Sequence, residues 1–444
     1  MNRLLIYTSQ KSERLIYTFD FVLGDLLGLE YDLTSDKDVF IAYTDPKFSY
    51  TRNWIDNELF FESAPVLFET DITLQPVDFI EVENMIGFYP VSKQSQSDLP
   101  FDMFASTFVM ISRYNEYLLH KKDKYDRYRA SQSMNFVAGF LEKPMVNYYA
   151  VYLRKILAER FPQLKFKDNK FEYLASFDID MAYSYLGKGL KVNLGGFVRS
   201  IFMSNFKDLR ERYQVLFRDK KDPFDTFDEL LEICKKYAVK TKFFFQVGNR
   251  SALDKNVSHT YEPFKEIIKK VSKQSDIGIH LSFMSHISEG VMEEEIRRLE
   301  FITGRKITSN RFHYLRFTLP ASYVSLGRID ITDDYSFGYA TRIGFRAGTC
   351  SPFYFFNLSK NERSNVKIHP FAFMDSTLAH YNKLKAYDAQ EKILQMMKWV
   401  KEVEGPFIGL WHNSSFTEDG VWKGWKDVFE TVAKEAAAIT EKSE

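Results

Sequence analysis

The pattern of apolar and polar positions falls into two stretches joined by a polar connector. Residues 4–8 (LLIYT) form a short apolar run that predicts a first strand. Residues 12–27 mix apolar and polar positions and predict a helix. Residues 39–43 and 66–68 read as short strands, and the Ser/Gln-rich stretch 90–100 as a loop. Apolar residues recur at helical spacing over 105–119 and again over 146–161, with Pro162 at the end of the second helix. Between them, 123–129 (DKYDRYR) is a charge-rich turn. The connector is 165–170 (KFKDNK), which places a boundary near residue 165: an N-terminal domain over 1–165 and a C-terminal domain over 166–444.

Beyond the connector, strands and helices alternate. Strands are expected at 173–177, 241–247 (TKFFFQV), 277–280 and 407–410, and strand then loop at 310–317. Helices are expected at 224–237, 261–274 and 291–303, the last stopping at Gly304. Such alternation predicts a parallel α/β fold, and polar side chains at the ends of several strands are the pattern of barrel enzymes. No internal repeat of fixed period is present.

Composition narrows this picture. Hydrophobic residues make up 45% and charged residues 27%, enough for packed cores. Lys+Arg and Asp+Glu are both 60, so binding to nucleic acid by counterion release is not expected. The 42 Phe and 26 Tyr read as core residues before sugar-stacking platforms. Two cysteines, Cys234 and Cys350, exclude a disulfide scaffold and a Cys-rich zinc site, and Cys350 reads as a packed residue. No run of about 18 apolar residues predicts a membrane span, and the first residues carry no secretory pattern, so a cytoplasmic location is expected. The sequence does not specify an oligomeric state.

Five segments carry candidate chemistry. In Ser176-Phe177-Asp178-Ile179-Asp180, two carboxylates two residues apart at the end of an apolar strand point the same way; one could bind a metal and the other act as a base. His280 closes a short apolar strand and is placed to ligate a metal, with His286 six residues on within reach of a loop. Arg311, His313 and Arg316 cluster among aromatics, where an Arg can hold a base by a carboxylate pair. Asp333–Phe353 is glycine-rich and contains Arg346, either a substrate or carboxylate partner or a solvated residue. His412, just past the last strand, fits a general acid.

Taken in order, these segments resemble the polysaccharide deacetylase family of chitooligosaccharide-deacetylase type, over roughly residues 171–415. Phe177-Asp178-Ile179-Asp180 resembles its first motif and TKFFF its Ala-Thr-Phe-Phe strand; Arg311, with Arg316 as alternate, is similar to its third-motif arginine, Asp334 to its fourth-motif acid and His412 to its last-motif histidine. The resemblance implies a distorted (β/α) barrel, a divalent metal such as zinc, and removal of an N-acetyl group from an amino sugar or glycan precursor. It implies Asp178 as base, Asp180 and His280 as metal ligands and His412 as acid. Met284 stands where the family's second histidine would fall, leaving His286 or His313 as third ligand, or fewer protein ligands. The third motif lacks its proline. Two other functions stay open: a non-catalytic carbohydrate-binding or assembly protein on the same barrel, and hydrolysis of a non-sugar C–N amide. Residues 101–129 resemble a branch of such proteins common in Bacteroides-like bacteria, with a smaller N-terminal α/β domain of unknown role.

Overall fold

A computed structural model describes residues 3–441 apart from 56, 76 and 77. The chain starts with four parallel strands, β1 (Arg3–Tyr7), β2 (Glu30–Thr34), β3 (Lys47–Thr51) and β4 (Leu59–Glu62), in the order β2-β1-β3-β4. Leu4 and Ile6 of β1 are fully buried. Helix α1 (Glu13–Phe19) starts at Ser12, whose hydroxyl accepts from the Leu15 amide, and runs on into a wider coil over Asp20–Leu26. Where a strand was expected at 39–43, the chain forms helix α2 (Lys37–Ala42). Asp36 accepts from the amides of Asp38 and Val39, and this cap outweighs the β-branched residues that follow it. The strand expected at 66–68 is a 3₁₀ turn (Pro65–Leu67) with Pro65 at its start. A hairpin of β5 (Phe79–Val82) and β6 (Met85–Phe88) leads to α3 (Met103–Ile111), capped by Asp102. This helix is shorter than the expected 105–119, because Arg113 turns left-handed at φ 56°. Helices α4 (Met134–Val137) and α5 (Met145–Arg160) complete this part.

The second part is a parallel α/β fold of distorted barrel form. Its strands are β7 (Glu172–Ile179), β8 (Lys240–Phe245), β9 (Asp276–Leu281), β10 (Ser309–Phe312), β11 (Asp333–Asp334), β12 (Phe353–Asn357), β13 (Glu362–Ile368), β14 (Phe373–Met374) and β15 (Pro406–His412). They lie in the order β12-β13-β11-β10-β9-β8-β7-β15-β14, parallel throughout except for β12 against β13. The helices are α6 (Leu190–Phe202), α7 (Phe206–Phe217), α8 (Phe227–Lys236), α9 (Glu262–Ser272), α10 (Glu289–Thr303), α11 (Ala321–Arg328), α12 (Ala386–Glu402) and α13 (Trp425–Glu441).

Side chains of period two sort this sheet into an inside and an outside. On β7 and β8, Phe177 and Phe243 stack at 4.6 Å on the outer face under Phe429 of α13. Their neighbours Leu174, Phe244, Ile408 and Leu410 form a separate inner cluster with Phe371 and Tyr335. Gly278 makes this packing possible, because a Cβ there would lie 2.6 Å from the Phe244 ring.

The two parts share one continuous hydrophobic core, from Leu4 to Ala436. Polar links cross between them: the Tyr17 hydroxyl donates to the Tyr354 carbonyl at 2.6 Å, and Arg14 Nε to Asn361 Oδ1 at 2.6 Å. Glu116, next to α3, is buried between two guanidiniums. It accepts from Arg113 Nε at 2.8 Å and from Arg346 Nε at 2.9 Å.

Candidate metal centre

The inner face of β7 carries Ser176 and Asp178, and Asp180 follows in the same phase just past the strand end. Neighbouring strands deliver the rest. In parallel register, Arg311 of β10 lies beside His280 of β9, and His412 of β15 beside Asp178 of β7. The short spacing between adjacent strands brings side chains from all these ends into one space.

Arg311 is fully buried, and each of its three guanidinium nitrogens donates a hydrogen bond. Its Nη1 donates to Asp178 Oδ1 at 2.7 Å, Nη2 to Ser176 Oγ at 2.9 Å and Nε to the Tyr335 carbonyl at 2.9 Å, while its plane lies 4.5 Å from the Phe244 ring centre. Asp178 is thereby fixed in direction and paired with a cation.

Asp180, His280 and His313 converge, with one ligand atom from each lying within 4.8 Å of the others. His280 Nε2 is 3.0 Å from Asp180 Oδ1, and His313 Nε2 is 3.6 Å from Asp180 Oδ2. Both imidazoles are oriented from behind: His280 Nδ1 lies 2.9 Å from the Arg311 carbonyl, and His313 Nδ1 lies 2.7 Å from Asp254 Oδ1. With each Nδ1 donating, both Nε2 lone pairs turn toward the carboxylate. Asp180 Oδ1 is buried without a hydrogen-bond donor. Acceptors facing one another at these distances need a proton or a cation between them. The donor set, one carboxylate and two imidazoles backed by a carbonyl and a carboxylate, therefore fits a divalent ion of the zinc type.

The same crowding sets the protonation of the ion-free site. Burial pulls His313 down, but Asp180 and Asp254 outweigh it and push its pKa up to about 9. Burial opposes ionisation of Asp180, yet His313, His280 and His412 hold it well below the usual carboxylate range. His412 faces the site with Nε2 3.8 Å from Asp180 Oδ2. Its Nδ1 lies 2.6 Å from Asp375 Oδ1, and its backbone amide donates to Asp375 Oδ2 at 2.7 Å. Burial lowers the His412 pKa, but attraction to Asp375, Asp180 and Asp178 prevails and pushes it up to about 10.

Of the residues singled out from sequence, Asp178, Asp180, His280, Arg311, His313 and His412 come together here. His286, Arg316 and Asp334 do not. His286 sits on a 3₁₀ turn (Ser285–Ile287) with Nδ1 3.1 Å from the Phe283 carbonyl. Arg316 lies over the Phe283 ring at 4.2 Å and donates to the Phe283 carbonyl. Asp334 is fully buried and braces the sheet, accepting from Asn310, Tyr323 and Ser336, and burial raises its pKa. The carboxylate that holds the last histidine is Asp375, in the helical turn directly after the two-residue β14. Arg346, open between two readings in the sequence, is neither solvated nor at the centre; it pairs with buried Glu116.

The mouth is aromatic and partly built by the N-terminal part. Tyr314 takes a left-handed backbone conformation (φ 60°) next to His313, and its ring lies 4.9 Å from that of Tyr125. Arg127 Nη1 donates to the Tyr314 carbonyl at 2.9 Å. Beside Leu315, a cavity of about 320 Å³ is lined by Arg127, Arg129, Tyr339, Arg342 and Tyr381.

These features define a parallel α/β barrel with a three-residue candidate metal centre at its strand ends, flanked by an Asp–Arg pair and an Asp–His pair. Residues 4–162 match a family model described as a family of unknown function, DUF7033. No curated protein matches the chain. Among solved structures, the chain is similar to a protein titled as a polysaccharide deacetylase from Mycobacterium smegmatis, at 12% identity and a TM-score of 0.39, covering 63% of this chain and 94% of that one. It is also similar to a CE4 family pseudoenzyme from Bacillus anthracis, at 10% identity and a TM-score of 0.33, covering 61% and 62% of the two chains. A third is the catalytic domain of a peptidoglycan N-acetylglucosamine deacetylase from Eubacterium rectale, at 13% identity and a TM-score of 0.31, covering 61% and 86%. Likenesses this loose assign no activity. No helix among the described residues is long and apolar enough to cross a membrane.

Proposed function

We propose that the chain is a metal-dependent hydrolase that removes an N-acetyl group from an amino sugar or glycan precursor. The observation that carries this reading is the convergence of three differently prepared groups on one space. These are an Arg-held carboxylate (Asp178), a carboxylate and two oriented imidazoles (Asp180, His280, His313), and a carboxylate-held imidazole (His412). Asp180, His280 and His313 would hold the ion, zinc being the first candidate for an N/O donor set. Bound there, it supplies Lewis-acid polarisation of the amide carbonyl and acidifies water.

The chain's own residues supply the proton transfers. Asp178, paired with and aimed by Arg311, takes a proton from the attacking water. His412, whose pKa is raised chiefly by Asp375, gives its Nε2 proton to the departing amine nitrogen, while Asp375 holds Nδ1 and so fixes the ring. Tyr314 and Tyr125 offer ring faces at the mouth for a sugar.

The test is elemental analysis of the wild-type chain beside Asp180→Ala, His280→Ala and His313→Ala, followed by acetate release from N-acetylglucosamine oligomers. Near-stoichiometric ion lost in all three variants, with ion-dependent acetate release, is the expected result. A wild-type chain that retains no ion after loading and desalting would overturn the proposal. Bound ion without turnover on any acetamido or other amide substrate would put a carbohydrate-binding role in its place.

A further inference from the structure

Helices α6 and α7 form a hairpin inserted between β7 and α8, and much of its apolar surface faces outward. A helix on a water-facing surface normally turns its apolar stripe to the core. On α6, Leu190, Leu194, Val198 and Ile201 recur every three or four residues along one face, and all are exposed, with Leu190 at 90% and the adjoining Phe202 at 86%. On α7, Phe206, Tyr213 and Phe217 share a face in the same way and are also exposed. Of the residues the hairpin buries, Val215 is apolar, while Asn193 and Ser200 are polar. Asn193 donates to the Tyr185 carbonyl at 3.0 Å and accepts from Arg212 at 3.2 Å. Ser200 bonds Asp208, and Arg212 lies over the Tyr185 ring at 4.7 Å. Gly196 keeps this spine closed, since a Cβ there would meet the Arg212 guanidinium at 2.4 Å.

The hairpin's charge is equally one-sided. The whole chain is balanced, yet residues 188–221 hold nine Lys and Arg against three Asp and Glu. Lys191, Arg199, Arg210, Arg218 and Lys221 are exposed and have no ion-pair partner among the described residues. Helices that lie on membranes combine exposed Leu and Phe with a Lys/Arg-rich polar side, as this hairpin does. Exposed apolar faces of this extent mark interaction sites, and the surrounding positive charge selects the occupant.

We propose that the hairpin 190–217 docks on an anionic lipid surface, its Leu, Ile and Phe side chains entering the headgroup boundary and its Lys and Arg meeting lipid phosphates. The hairpin leaves the same strand end that carries Asp180. Its Lys207 pairs with Asp419 in the connection after His412, and Asn413 of that connection donates to the Met181 carbonyl at 3.0 Å. Docking therefore brings the candidate site to the lipid surface. This surface stands independently of the proposed reaction.

The test is flotation of the full chain with vesicles of phosphatidylcholine containing about one-third phosphatidylglycerol, beside phosphatidylcholine alone. Two variants accompany it, Leu194→Ser/Ile201→Ser/Phe202→Ser and Arg199→Glu/Arg210→Glu, with Arg199→Lys/Arg210→Lys as the charge-retaining control. All altered side chains are exposed, so thermal melting should not change. Wild type should partition onto the anionic vesicles at least about tenfold better than onto neutral ones, and less so at high salt. The apolar and charge-reversed variants should each lose about tenfold, and the Lys control should not. Wild type that stays off anionic vesicles, or charge reversal without effect, would overturn the proposal. So would a concentration-dependent dimer abolished by the apolar variant without vesicle binding, which would assign the face to a second copy of the chain.

Discussion

Asp254→Asn isolates one layer of the candidate centre. The carboxylate touches no ion; it holds His313 from behind, with Oδ1 2.7 Å from Nδ1. That same Oδ1 accepts from Gln246 Nε2 at 2.8 Å and from the Phe283 amide at 2.9 Å, while Oδ2 accepts from Ser251 Oγ at 2.7 Å. An asparagine can keep its oxygen at the three-donor side and turn its amino group to Ser251, which can accept. Shape survives and charge is lost. Removal of such a backing group weakens metal affinity about 10–100-fold. A second effect runs the other way. In the ion-free site Asp180 and Asp254 push the His313 pKa up to about 9, so below that pH the ion must displace a proton, and wild-type affinity should rise about tenfold per pH unit from 6 to 8. Without the Asp254 charge the His313 pKa falls and this competition eases. The gap between wild type and variant should therefore be widest at pH 9 and above. It should shrink toward pH 6 by about tenfold for each unit by which the pKa has fallen. Zinc titration against a competing chelator at several pH values measures both terms. Equal affinities at pH 9, or a gap that narrows as pH rises, would refute the role given to Asp254.

Three further outcomes follow from the same geometry. Asp375→Asn should lower turnover by about 10²–10⁴ with little change in KM and move the basic limb of the pH–rate profile to lower pH, because the His412 proton loses its main support; an unmoved limb in a kinetic pH series would count against it. Glu116→Gln leaves two buried guanidiniums without a counter-charge and should cost about 3–5 kcal/mol in urea unfolding, a loss under about 1 kcal/mol being incompatible with the buried triad. In chelator, the raised pKa values of His313 and His412 contribute stability that is complete below their ordinary 6.5 and lost as pH passes about 9 and 10, so the urea midpoint should fall across that window; a flat or rising midpoint would show that these histidines are not charged in the ion-free fold.

Much of the centre was legible because strand ends are simple objects. A period of two put Asp178 and Asp180 in phase, and an apolar run ending in a histidine marked His280 and His412. Nothing comparable marks Asp254, which lies in a loop between β8 and α9, or Asp375, which follows a strand of only two residues. Asp334 drew attention only through its likeness to a fourth-motif acid, but pairing of β10 with β11 turns it to Asn310 and into the structure's interior. At 39–43 the apolar residues alone favoured a strand, and the cap at Asp36 decided for a helix. The hairpin 190–217 shows why periodicity has limits. It reveals that a helix has an apolar face, not which way that face is turned.

The shared core also has a consequence in time. Tyr17 and its partner Tyr354 are separated by 337 residues, and α1 and α3 cover β12 and β13, which are made long after them. At about 5–20 residues per second, Tyr17 waits roughly 20–70 s for Tyr354, and the completed N-terminal part roughly 10–40 s for the strands that cover it. During that interval Phe108 and Tyr17, which end up against Phe356, lack their partner. Ribosome-arrested chains of about 165 residues should accordingly bind a hydrophobic dye that the finished chain does not; no difference between them would mean that the early part closes its own surface. The order of synthesis, as much as the final contacts, then sets how this chain must be handled by the cell that makes it.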